Sequence, residues 1–154
     1  MNTTEKTRPP VAARRTGYGV AAALAVVMLY LINGAPGWDA VPFLTADTAG
    51  VIPLVNLSLI VGLVVDLTEL VADPPWLVAL GGILSTAAGL PALIALWRVF
   101  PFDFGTAAFD WALLTRVVLV VGVAGSVIGL IAQSVRLAGA LHGRPVAHAR
   151  PADR

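Results

Sequence analysis

Four stretches of this chain carry no charged residue and are long enough to cross a lipid bilayer, which narrows the available folds more than any other feature. They run from Thr16 to Trp38, Thr48 to Val65, Pro74 to Trp97 and Val117 to Val135. A helix rises about 1.5 Å per residue, so roughly 20 apolar residues span the hydrocarbon. Inside lipid a spanning segment of this length must satisfy its own backbone N–H and C=O groups, and an α-helix does so. The expected fold is therefore all-α, a four-helix transmembrane bundle over residues 16–138 with disordered ends.

Composition supports the same solvent. The 154 residues are 58% hydrophobic and 12% charged, with a mean hydropathy of +0.85, far more apolar than a water-soluble domain of that length.

Local punctuation places the helices at about residues 16–34, 48–72, 75–98 and 109–137. Asn33 and Gly34 before Pro36 and Gly37 end the first. Asp47 and Thr48 read as an N-cap for the second, with Pro53 in its second turn, where a missing donor costs little. Pro74 and Pro75 force a turn, and Pro91 predicts a kink in the third helix. Residues 1–15 read as a disordered basic leader and residues 139–154 as a disordered basic tail. A basic leader before an apolar run also resembles a secretory signal, but cleavage after Ala35 would put Asn33 where a small residue is wanted.

Of the ten basic residues, all but Arg98 and Arg116 lie in the leader or from Arg136 onward. Lys and Arg flanking the spans stay on the cytoplasmic side, so both termini are expected there, in the plasma membrane. Four crossings meet that parity. The loop aromatics, from Trp38 and Phe43 to Trp97, Phe100, Phe102, Phe104, Phe109 and Trp111, would then form an interfacial belt on the outer side.

Several chemistries are excluded by residue type. The chain has no cysteine, which removes disulfides and thiolate sites. Its two histidines, His142 and His148, sit in the C-terminal tail, so paired-histidine haem ligation within the bundle cannot be built. No basic patch supports nucleic-acid binding. Neither a metal-ligand set nor a nucleophile–base pair is present, so no cofactor and no enzymatic activity are expected.

The polar residues within the spans are few. The second helix carries Ser58, Gly62, Asp66, Glu69 and Asp73 on one face, a stripe that reads either as a proton or cation path or as structural pairing with Arg136, Arg14 or Arg15. A pair between Asp66 or Glu69 and Arg136 would hold the second and fourth helices together. Asn56 is expected to hydrogen-bond a neighbouring helix, and Arg116 to snorkel outward or meet Asp39, Asp47, Asp103 or Asp110. Small residues permit close helix packing in lipid, which singles out Gly82 and Gly89 in the third helix and Gly122, Gly125 and Gly129 in the fourth.

The runs NGAPGWDAVPFLT at Asn33 to Thr45 and RVFPFDF at Arg98 to Phe104 resemble those of uncharacterised four-helix membrane proteins of high-GC Gram-positive bacteria. That resemblance implies a fold but no activity. The expected function is a noncatalytic accessory or structural membrane subunit that lies in the bilayer as a homo-oligomer or beside a membrane protein partner. The alternative is a small oligomeric channel or transporter lined by Asn56, Asp66, Glu69 and Arg116.

Overall fold

The computed structural model describes residues 10–106 and 108–142. They form four helices, α1 (Val11–Asn33), α2 (Ile52–Val71), α3 (Pro75–Val99) and α4 (Trp111–His142), with short 3-10 turns at Trp38–Ala40 and Ala46–Gly50. All four helices are long and apolar enough to cross a membrane, so the chain is an all-helical, four-span membrane protein.

Helix ends differ from expectation where local chemistry outweighs hydropathy. Helix α1 starts at Val11, directly after Pro10. It therefore takes up Arg14 and Arg15, because nothing between Val11 and Thr16 breaks a helix. The rest of the leader, residues 1–9, lies outside the described residues. Asp47 and Thr48 do not cap α2; they sit in the 3-10 turn, and α2 begins at Ile52 with Pro53 in its first turn. A helix starting at Thr48 would put Pro53 where its ring strikes the carbonyl four residues back. Asp110 does act as a cap: its Oδ1 accepts the Leu113 N–H at 2.8 Å, setting the start of α4. At the other end α4 runs on to His142, past the expected stop near Leu137. Residues 139–142 of the expected tail are thus helical, and 143–154, with His148, lie outside the described residues. Helix α3 continues through Pro91.

Packing follows chain order. Helix–helix contact is concentrated in α1 against α2, α2 against α3 and α3 against α4, and other helix pairs meet marginally at most. The bundle is thus an open row, not a closed ring, with α1 and α4 as its edges. Small side chains dominate its interior: Ala22, Ala25, Ala79 and Ala92 are buried alongside Val51 and Leu119. Alanine at these levels lets helix backbones approach where lipid supplies little hydrophobic force between them.

The end of the row opposite the start of α1 and the end of α4 is closed by its two connecting loops. Thr45 N–H donates to the Pro101 carbonyl at 3.1 Å and Asp103 N–H to that of Phe43 at 2.9 Å, around an antiparallel bridge between Leu44 and Phe102. Phe43 stacks on Phe104, which stacks on Phe102, which meets Phe100 edge to face. Four of the expected belt residues thus pack on one another and lock the loops together. Phe100 caps α3 in the left-handed region at φ 44°, a conformation usually left to glycine.

Candidate functional site

At the end of the row where α1 begins and α4 ends, a cavity of about 650 Å³ opens between α2, α3 and α4. Asp66 and Glu69 border it from α2, Gly82 and Ser85 from α3, and Gln133 and Arg136 from α4. The spacing of three residues between Asp66 and Glu69 puts both on the face that α2 turns towards α3. Glu69 is only 6% exposed, while Asp66 is half-buried and Arg136 exposed.

Two adjacent glycines of α3 make room for the polar side chains. A Cβ built on Gly81 would strike the Glu69 carboxylate and come within 2.7 Å of a Val65 methyl. One built on Gly82 would come within 2.7 Å of the Gln133 amide carbon. Gly81 therefore seats Glu69 against the α3 backbone, and Gly82 seats Gln133. Gly82, expected as a packing position, faces Gln133 of α4, whereas nothing in the hydropathy of the sequence distinguishes its neighbour Gly81.

The charges pair differently from the expected arrangement. Arg14 Nε donates to Asp73 Oδ2 at 2.7 Å, tying the start of α1 to the turn between α2 and α3. Tyr18, one turn after Arg14, lies within side-chain hydrogen-bonding reach of Glu69. Among the described residues no ion pair joins Asp66 or Glu69 to Arg136, although all three face one cavity. Helix α1 packs on α2, so Arg14 near its start lies beside the α2–α3 turn that carries Asp73. Arg136 belongs to α4, whose direct contact with α2 is marginal at most. Gln133 Oε1 is buried without a hydrogen-bond partner, an unusual state for an amide oxygen shielded from water.

The remaining sequence candidates lie elsewhere. Asn56 and Asn33 exchange two side-chain hydrogen bonds, at 2.7 and 2.9 Å, across the α1–α2 interface near the loop end. In the sequence Asn33 reads as a helix terminator; the structure adds its role across the interface. Arg116 meets none of the four expected aspartates; its guanidinium carbon lies 4.3 Å from the Phe100 ring centre and 5.7 Å from that of Trp97. A planar, weakly hydrated guanidinium suits an aromatic face better than an ammonium would. The strained Phe100 backbone thus presents its ring to Arg116.

The glycines of α4 divide by face. Gly122 packs on Leu93 of α3, with Leu93 methyls 3.5 and 3.6 Å from where its Cβ would be. A Cβ on Gly125 would meet nothing within 4 Å, and on Gly129 only the Gln133 amide of its own helix at 4.0 Å. Each residue turns a helix by about 100°, so Gly122, Ser126 and Gln133 look towards α3 while Gly125 and Ala132 look about a quarter turn away and are exposed. Gly89 likewise meets nothing and borders a shallow groove between α2, α3 and α4. Compared with known proteins, the chain matches no family model, no curated protein and no solved structure.

Proposed function

We propose that the protein is a noncatalytic membrane subunit that assembles through the open edge of its helical row, with a second copy or a membrane protein partner. The observation that carries this reading is the outward face of α4, where Gly125 and Ala132 lie exposed while the helix packs on α3 through another face. Glycine exposed to lipid gains nothing there, but it lets a neighbouring helix approach closely. Gly125→Leu is expected to leave thermal stability in detergent within about 0.5 kcal/mol, as a substitution into open space should, while abolishing assembly. Native mass spectrometry of the full chain in mild detergent reads the assembly. Cross-linking adds position, since the cysteine-free chain allows Gly125→Cys to be compared with Val120→Cys on another face. A monomer in both variants and wild type, or cross-linking of Val120→Cys alone, would refute the reading.

The alternative, a small oligomeric channel or transporter, draws its support from the cavity bordered by Asp66, Glu69 and Gln133. Intramembrane ionisable groups commonly mark such paths.

The basic flanks favour a plasma-membrane orientation with both termini in the cytoplasm. Reporter fusions before Val11 and after Arg144 should read cytoplasmic, and an insertion at Gly105 external. An external signal from either terminus would reverse the orientation.

A further inference from the structure

We propose that the cavity between α2, α3 and α4 binds a primary ammonium group carried by an aminoalkyl phosphate. Three acceptors border one space: the Asp66 carboxylate, the Glu69 carboxylate and the amide of Gln133. Glu69 is more than nine-tenths buried, and Gln133 Oε1 is buried with no donor. Tyr18 brings one neutral hydroxyl within hydrogen-bonding reach of Glu69, and among the described residues no ion pair joins either carboxylate to an arginine or lysine. A primary ammonium offers three N–H donors and one positive charge. It therefore satisfies the orphaned amide oxygen and offsets the carboxylate charge together.

Size and the fourth polar group define the rest of the ligand. A bare metal ion draws its oxygen ligands to about 2.0–2.6 Å, whereas this cavity measures about 650 Å³ and admits an organic group. Arg136 borders the same cavity, is exposed, and forms no ion pair with either carboxylate. Opposite charges held apart across one cavity match a ligand that carries both signs, its ammonium towards α2 and its phosphate towards Arg136. Guanidinium groups bind phosphate oxygens in a two-pronged fashion. Such chemistry occurs in the ethanolamine-phosphate head group of a lipid and in free aminoalkyl phosphates.

The test uses the full chain in detergent, titrated with dihexanoylphosphatidylethanolamine, its phosphatidylcholine counterpart, phosphoethanolamine and ethanolamine. Thermal midpoint and native mass spectrometry read binding. Phosphatidylethanolamine should bind saturably and raise the midpoint, whereas phosphatidylcholine, whose quaternary nitrogen has no N–H, should not. Asp66→Asn and Glu69→Gln, which keep shape and lose charge, should each weaken binding about tenfold or more, the loss expected for a charge-assisted hydrogen bond. Arg136→Gln should weaken both phosphate-bearing probes and leave ethanolamine unchanged. Phosphoethanolamine binding as tightly as the lipid would identify a free ligand; preference for the lipid would identify a head group. Equal binding of the ethanolamine and choline lipids, or unchanged affinity in both carboxylate variants, would overturn the proposal, as would the absence of binding by every amine.

Discussion

Replacing Gly81 with alanine should destabilise the protein by about 1–3 kcal/mol, the usual cost of overpacking a filled interior, and leucine should prevent the native fold. The new Cβ would meet the Glu69 carboxylate and a Val65 methyl, both on α2. Backbone cannot recede on the α3 side without parting two helices, so Glu69 must give way from a site where it is only 6% exposed. Thermal denaturation in detergent measures the loss, with Gly125→Ala as the comparison in open space. Shortening Glu69 removes the obstacle, so Gly81→Ala combined with Glu69→Ala should lose less than the sum of the single variants. Additive losses would show that the Gly81–Glu69 contact is not what limits the space.

The second large effect is expected at the opposite end. Asn33→Leu or Asn56→Leu breaks a pair of reciprocal hydrogen bonds and leaves one amide without its partner. Interhelical hydrogen bonds of this kind contribute about 0.6–2 kcal/mol in membranes, and each single variant should lose at least that much. The double variant should lose less than the sum, because no amide is then stranded. Folding stability of the four proteins in one detergent gives the coupling, and a coupling of zero would assign the two amides to independent roles. Asn33 also donates to the Leu29 carbonyl at 2.9 Å, so part of the loss at position 33 reflects the last turn of α1.

The four spans were legible in the sequence because crossing a bilayer is decided segment by segment. Each stretch carries its own transfer free energy and satisfies its own backbone, so no partner is needed to recognise it. Pro53 near the start of α2 is legible for the same reason, since a proline acts within one turn, although the shift of that start from Thr48 to Ile52 required weighing proline against Asp47 and Thr48; the Asp110 cap of α4 appears only in the structure.

Which side of each helix meets which neighbour was decided only by the tertiary structure. Gly122 and Gly125 sit three residues apart and both read as packing positions, yet one touches Leu93 and the other touches nothing. At about 100° per residue, a small change in helix rotation exchanges their roles, and hydropathy hardly changes with it. The ion pairs show the same limit. Arg14 chose Asp73, 59 residues away, over Asp66 and Glu69 on the same stripe, and Arg136 paired with neither. The sequence listed the charges correctly but could not give the order in which helices stand side by side. That order, an open row in which α4 packs on α3 and hardly touches α2, sets the distances between charges, and those distances select the pairs.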